Sequence, residues 1–162
     1  MYIYIAASFA FEDRNKTEQK KKLIEETVER IKQYLPGNYY LPHQLKIPNA
    51  WDMSLEDWSR EVYEYDIGAL NDADMIIFLS FGKENNAGSA WEVGYVIGQN
   101  YMWGYTRDDA PDQKKVICIK MTDEPESLMI SNSVDRIITS AEIDTYDWKT
   151  FPEYKTSLGK LS

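Results

Sequence analysis

The central part of the chain places an apolar run before an apolar helical pattern, and this arrangement restricts the fold more than any other feature. Residues 75–79 are apolar, residues 85–89 read Asn-Asn-Ala-Gly-Ser, and residues 90–99 are again mostly apolar. A short apolar run, a tight Asn- and Gly-containing loop and a longer apolar segment are typical of a buried strand, a turn and a buried helix. The sequence therefore predicts a strand-loop-helix unit at its centre.

Further strands and helices alternate along the chain. Strands are predicted at residues 2–7, 38–41, 116–120 and 137–138, and helices at about 17–35, 54–70 and 150–161, with a helical turn at 127–130 and a polar connection or flap at 101–115. Strands that alternate with helices indicate a mainly parallel sheet covered on both faces. With no repeat or internal boundary, residues 1–162 are predicted to form one α/β domain.

Composition narrows the classes of function. The 162 residues carry a net charge of −9, which disfavours a nucleic acid polymer as partner but leaves free nucleosides and nucleotides as ligands. The lone cysteine and the absence of an apolar run of about 18 residues predict a cytoplasmic protein with no membrane partner. Neither a dinucleotide or phosphate-loop motif nor a Cys/His cluster is present in the sequence, so we expect no cofactor and no metal.

Glu92 is the only charged residue between Glu84 and Arg107. A carboxylate in an otherwise apolar helix costs several kcal/mol unless it is paired or faces a cleft. Parallel sheets bind ligands beyond the carboxyl ends of their strands, where the strand order reverses. We therefore predict that Glu92 faces such a cleft; the alternative is that it reaches solvent or an internal partner.

Two groups of residues lie near the same predicted edge of the sheet. The end of the first strand carries the small residues Ala7 and Ser8, which would let a ligand approach the backbone closely, and Phe9 follows them. His43, the only histidine, follows the second strand beside Gln44 and is either a polar loop residue or a ligand contact.

Two aspartates also require an explanation. Asp66 lies late in a predicted helix, where the macrodipole disfavours a carboxylate, so a purpose or a partner is expected for it. Asp74 immediately precedes the third strand, a position typical of a strand-edge cap. The charged run at residues 18–22 is interpreted as a solvated helix face in preference to a phosphate patch.

Three segments together resemble the nucleoside 2-deoxyribosyltransferases and the related 2'-deoxynucleoside 5'-monophosphate N-glycosidases. They are Tyr-Ile-Ala-Ala-Ser at 4–8, Asp66 eight residues before Asp74, and Asn-Ala-Gly-Ser-Ala-Trp-Glu-Val-Gly-Tyr at 86–95. The resemblance covers roughly residues 2 to 140. It implies a flavodoxin-like (Rossmann-like) sheet, transfer of 2-deoxyribose between nucleobases, and a homo-oligomer whose partners are small nucleosides, nucleotides and nucleobases.

The resemblance also implies roles for particular residues. Glu92 would be the nucleophile that forms a covalent glycosyl-enzyme, Tyr4 would orient its carboxylate, and Asp66 would be a general acid with a raised pKa. Glu92 would need to be ionised, which a position near a helix N-terminus favours. The implied substrate-binding residues are Ala7, Ser8, Phe9, His43, Gln44, Asp74, Asn86, Gly88 and Ser89.

Asn86 departs from the transferase pattern. Transferases that bind a free 5'-hydroxyl commonly carry an aspartate there, and that charge would repel a 5'-phosphate, whereas the neutral amide of Asn86 accepts either group. Hydrolysis of a deoxynucleoside monophosphate is therefore an alternative to transfer. A non-catalytic nucleotide sensor that has kept the pocket is a second alternative.

Overall fold

The computed structural model describes residues 1–8, 14–82, 87–106 and 113–150. Five parallel strands form one sheet: β1 (Tyr2–Ala6), β2 (Asn38–Tyr40), β3 (Met75–Ser80), β4 (Lys115–Lys120) and β5 (Arg136–Thr139). The helices are α1 (Arg14–Lys32), α2 (Leu55–Asp72), α3 (Ala87–Thr106) and α4 (Leu128–Ser133), with short 3₁₀ turns at Pro42–Gln44, Ala50–Asp52 and Ser140–Glu142.

The strand order is β2-β1-β3-β4-β5, and every adjacent pair is parallel. This order is that of the flavodoxin-like fold, so the predicted fold class is confirmed. The chain runs from β1 to β2 on one side and then returns to place β3 on the other side of β1. The order therefore reverses between β1 and β3, and the crevice of the fold lies beyond the carboxyl ends of these two strands.

Alternate residues of the strands build two separate hydrophobic clusters, one on each face of the sheet. Ile3 and Ile5 pack in the cluster that contains Ile24 and Val28 of α1. Tyr4 packs on the opposite face, in the cluster that contains residues of α2, α3 and α4, namely Ala69, Leu70, Val93, Val96 and Ile130. Because both faces are covered, β3 is buried along its whole length, as the apolar run in the sequence indicated.

The ends of α2 are fixed by specific hydrogen bonds. At its start the Ser54 hydroxyl accepts from the backbone N–H of Asp57 at 3.1 Å, which caps the helix. At its end the Lys114 ammonium donates to the carbonyls of Asn71 and Ala73 at 2.6 and 2.7 Å. Asp66, two turns before this end, is thereby held at a defined position over the sheet.

Two predicted segments lie partly outside the described residues. The predicted flap at 101–115 is helical in its first part, because α3 continues to Thr106, and residues 107–112 lie outside the described residues. The helix predicted at 150–161 also lies outside them, apart from Thr150. No helix in the described parts of the chain combines the length and apolarity needed to cross a bilayer.

Candidate active site

A cavity of about 630 Å³ opens at the carboxyl ends of the strands, a volume typical of sites for small molecules. Segments after β1 and β2 and parts of α1, α2 and α3 contribute to its wall. The lining residues are Ala7, Ser8, Thr17, Lys21, Pro42, His43, Leu45, Ile47, Trp58, Val62, Asp66, Gly88, Ser89 and Glu92. The structure thus brings Glu92 and Asp66 together with five of the nine implied substrate-binding residues (Ala7, Ser8, His43, Gly88 and Ser89).

The Glu92 carboxylate is held by one oxygen. Tyr4 is fully buried in β1, and its hydroxyl donates to Glu92 Oε1 at 2.9 Å. Glu92 Oε2 is buried and has no hydrogen-bond partner among the residues that the structure describes. Since Glu92 follows the first turn of α3, it projects from a rigid helix towards the crevice instead of from a loop. The two oxygens of the Glu92 carboxylate therefore have different environments.

Asp66 is held in a similar way by a second tyrosine. The Tyr40 hydroxyl donates to Asp66 Oδ1 at 2.8 Å, and the ring of Tyr40 stacks on that of Tyr4 with centroids 5.3 Å apart. Tyr40 was not predicted as a site residue from the sequence. Its signal was available only through strand pairing, because Tyr40 lies beside Tyr4 in the parallel register of β1 and β2.

Burial controls the protonation of this group of side chains. It raises the pKa of Glu92 to about 8, with the hydrogen bond from Tyr4 opposing the shift and the Asp66 charge adding to it. Burial also raises the pKa of Asp66, against the hydrogen bond from Tyr40. The resemblance implied that Glu92 would need to be ionised, which a helix N-terminus favours; the loss of solvation outweighs this modest effect.

The raised pKa of Glu92 predicts a pH-dependent stability difference between the protein and its Glu92→Gln variant. Below pH 4.5, the ordinary pKa of this group, Glu92 is protonated in the folded and unfolded chain alike. Between pH 4.5 and about 8 only the unfolded chain releases the proton, so folding loses stability by up to about 1.4 kcal/mol per pH unit. Glutamine has no such proton. We expect the variant to gain about 3 kcal/mol relative to the parent protein between pH 5 and pH 8, measured by urea unfolding. Parallel pH curves for the two proteins would contradict this assignment.

His43 and Gln44 differ in their relation to the cavity. His43 lies in the lining, and its Nε2 is 3.1 Å from Glu25 Oε1. Gln44 donates to the same glutamate oxygen at 3.1 Å but is exposed and outside the lining. The implied role of Gln44 in binding is therefore corrected: the turn Pro42–Gln44 directs its side chain to α1, where it pairs with Glu25.

Asp74 also lies outside the cavity. Its Oδ2 accepts from the backbone N–H of Tyr2 at 2.6 Å and is 3.9 Å from the N-terminal amine. Both Tyr2 and Asp74 are at the amino ends of parallel strands, opposite to the edge that carries Glu92. The implied role of Asp74 as a substrate contact is thus corrected. Asp74 is a strand-edge cap, as its position directly before the third strand indicated. Phe9 and Asn86 lie outside the described residues.

The charged run at residues 18–22 was interpreted as a solvated helix face. Glu18, Gln19 and Lys22 are exposed as expected, whereas the structure corrects the interpretation for Lys20 and Lys21. Lys20 is buried, with its ammonium 4.1 Å from the centroid of the Phe81 ring. Lys21 lines the cavity beside Thr17, and its ammonium is 3.2 Å from Glu18 Oε1. The first half of α1 passes the cavity because the chain leaves β1 at its carboxyl end. Sequence spacing alone did not indicate this proximity.

Aromatic and small residues define the shape of the cavity. Trp58 of α2 contributes to the wall, whereas Trp51 is 99% exposed and is not part of it. At Gly88, an added Cβ would meet no atom within 4 Å among the described residues outside its own turn of helix. The cavity wall therefore includes both an aromatic side chain and the backbone of the first turn of α3.

Comparisons with known proteins agree with this architecture. A structure of a 2-deoxyribosyltransferase from the psychrotolerant bacterium Bacillus psychrosaccharolyticus is similar in fold, with a TM-score of 0.69 and 24% sequence identity over 94% of this chain and 96% of that chain. No curated protein sequence matches the chain. The sequence profile described as nucleoside 2-deoxyribosyltransferase matches residues 3–129, which include β1, Asp66 and Glu92. The chain therefore belongs to the nucleoside 2-deoxyribosyltransferase family.

Proposed function

We propose that the protein transfers 2-deoxyribose from a deoxynucleoside to a second nucleobase through a covalent intermediate on Glu92. Glu92 Oε2 attacks the anomeric carbon, and the carbon–nitrogen bond breaks with its electron pair going to the departing base. Asp66 supplies a proton to that base. A nitrogen of the incoming base then attacks the same carbon and its proton passes to Asp66, while the ester bond breaks and Glu92 regains its charge. Two inversions give net retention.

The observation that supports this reaction most directly is the asymmetric environment of the Glu92 carboxylate. One oxygen accepts a hydrogen bond from buried Tyr4, while the other is buried in the cavity wall and has no partner among the described residues. A carboxylate that served only the fold would use both oxygens, because an unsatisfied buried polar atom costs about 1–3 kcal/mol. In the proposed reaction, the oxygen without a hydrogen-bond partner is the one that acts as the nucleophile.

The chemistry also needs a proton donor, and Asp66 meets the requirements for one. It lines the same cavity as Glu92, and burial raises its pKa, which favours the protonated form. The charge of Asp66 raises the pKa of Glu92, which favours a site with one proton and one negative charge. The proposed reaction uses the form of this pair in which Asp66 holds the proton and Glu92 carries the charge. A site of this kind provides the acid and the nucleophile at the same pH.

A second candidate reaction is hydrolysis of a deoxynucleoside 5'-monophosphate by the same nucleophile, with water as acceptor. The observation that favours it is the presence of Lys21 and Thr17 in the cavity wall, since an ammonium and a hydroxyl suit a phosphate group. The first turn of α3, with Gly88 and Ser89 in the wall, adds a site of positive dipole potential.

An exchange assay separates these reactions. The protein is incubated with 2'-deoxyinosine or, separately, with deoxynucleoside monophosphates, each with and without free adenine, and the bases and nucleosides are followed by chromatography. For transfer we expect hypoxanthine and deoxyadenosine to form in equal amounts, and hypoxanthine release to be much slower without adenine. Base release from the monophosphate without free adenine would contradict transfer and support hydrolysis as the function. No release under any condition would overturn both proposals in favour of a sensor.

A further inference from the structure

Tyr40 contacts Asp66 from outside the cavity that contains Glu92. The residue ends β2, and its ring lines a second cavity of about 460 Å³ with Tyr2, Glu61, Glu64, Tyr65, Gly68, Ala69 and Asp72. Tyr40 is absent from the lining of the Glu92 cavity, whereas Asp66 is part of it. The hydrogen bond to Asp66 therefore comes from a side chain that does not line the Glu92 cavity.

The two tyrosines and the two carboxyls form a matched arrangement. Tyr4 and Tyr40 are register partners in β1 and β2, and their rings stack at an interplanar angle of 22°. Tyr4 donates to Glu92 and Tyr40 donates to Asp66, at 2.9 and 2.8 Å. Burial raises the pKa of both phenols, so both remain neutral donors over the accessible pH range. The relative position of the carboxyls is thus fixed by two strands of the sheet.

We propose that Tyr40 is a positioning residue for the reaction proposed above, holding Asp66 Oδ1 so that the other oxygen of this carboxyl faces the departing base. The inference rests on the proposed function for its consequence in catalysis. The contact itself does not, because the hydrogen bond and the ring stack are features of the fold. A tyrosine is suited to this task since its ring is rigid and its hydroxyl has a single proton to donate.

Other charged and titratable groups surround Asp66, and they set the background against which Tyr40 acts. Glu92, His43 and Lys21 share its cavity, and Glu61, Glu64, Asp72 and Tyr2 lie around Tyr40 in the second cavity. All of them remain in place when only the Tyr40 hydroxyl is removed. A comparison of Tyr40→Phe with the parent protein therefore isolates the hydrogen bond to Asp66.

Tyr39→Phe is a matched control on the neighbouring residue of the same strand. Tyr39 points to the opposite face of the sheet, where its hydroxyl donates to the Leu35 carbonyl at 2.6 Å. The control thus removes a tyrosine hydroxyl and one hydrogen bond of similar length without touching either carboxyl. A general effect of losing a buried hydroxyl would appear in both variants.

The first experiment needs no activity. In a Glu92→Gln background, ¹³C NMR of labelled aspartate carboxyls follows the titration of Asp66, whose signal is identified by its loss in Asp66→Asn. A hydrogen bond to a carboxylate favours the ionised form, so its removal raises the titration midpoint. We expect Tyr40→Phe to move the Asp66 midpoint upward by about one pH unit and Tyr39→Phe to leave it in place. A midpoint that Tyr40→Phe leaves unchanged overturns the inference.

The second experiment tests the consequence for the reaction. The pH profile of kcat/KM for a coupled pair has two limbs that belong to the pair, and its midpoint is half the sum of the two apparent pKa values. Raising the proton affinity of Asp66 moves this midpoint to higher pH, whichever limb belongs to Asp66. We expect an upward movement of about half a pH unit in Tyr40→Phe, with KM within about twofold of the parent value.

The outcomes distinguish the inference from the proposed function. If the parent protein shows no base exchange but the NMR midpoint moves, the contact is as inferred and the proposed reaction fails. If exchange occurs but the kcat/KM midpoints of Tyr40→Phe and Tyr39→Phe both coincide with that of the parent protein, the positioning role fails alone. A raised KM with an unmoved profile would make Tyr40 a substrate contact and would also overturn the inference.

Discussion

Replacing Glu92 with glutamine is expected to lower kcat/KM for deoxyribosyl exchange by about 10⁴-fold or more. The neutral amide oxygen retains the hydrogen bond from Tyr4 but cannot form a stable ester with the anomeric carbon, so the covalent route is closed. A loss of 10⁴-fold corresponds to about 5.4 kcal/mol of transition-state stabilisation, which is large for the removal of one charge. The shape of the site is preserved because the side chains are nearly isosteric.

Intact-protein mass spectrometry checks the same prediction without relying on turnover. With 2'-deoxyinosine and no acceptor, acid-quenched protein is expected to carry the added mass of one deoxyribosyl group, and Glu92→Gln to carry none. Glu56→Gln is the control, because this substitution makes the same chemical change at an exposed position at the start of α2. Exchange at the parent rate by Glu92→Gln would remove Glu92 from the mechanism.

Stability and activity are expected to change in opposite directions in this variant. Burial that raises the pKa of Glu92 to about 8 means that the folded protein resists the charge the nucleophile needs. Glutamine removes that conflict, so the variant gains stability at pH 8 while losing its reaction. A buried acidic group retained against the stability of the fold is characteristic of a functional site.

The sequence was sufficient for the fold and for the centre of the site. The apolar run at 75–79 and the isolated charge of Glu92 predicted a buried strand and a cleft-facing carboxylate, and the structure has both features. These signals are strong because each depends on local burial, and an unpartnered charge in an apolar segment has few physical explanations. Asp66 was identified by similar reasoning, from a carboxylate placed against a helix dipole.

The features of the site that could not be predicted from the sequence depend on contacts between distant segments. Tyr40 acquires its role only through the register of β1 with β2, and Lys21 only through the path of α1 past the carboxyl end of β1. Asp74 and Gln44 have site-like positions in the chain, but parallel strand direction and the turn Pro42–Gln44 point them elsewhere. The size of the Glu92 shift was also missed, because it is set by the depth of burial.

Asp66→Asn is the prediction with the second largest effect, and its size depends on the leaving group. If Asp66 protonates the departing base, loss of this proton is expected to lower kcat/KM for 2'-deoxyadenosine by about 10³-fold, within the usual range for general acid catalysis. A 2'-deoxynucleoside of an N7-methylated purine already carries a positive charge on the base and departs without a proton. For that substrate we expect a loss below about tenfold, since the asparagine still accepts from Tyr40.

The comparison between the two substrates separates acid catalysis from a structural role of Asp66. Asp72→Asn serves as the control, because Asp72 ends the same helix at an exposed position and does not line the Glu92 cavity. A variant that distorted the cavity would lose activity equally with both substrates, and equal losses would therefore contradict the assignment of the acid. A loss of kcat/KM confined to the substrate with the neutral base would instead assign different roles to the two carboxyls. Asp66 would act on the base, and Glu92 would act on the sugar.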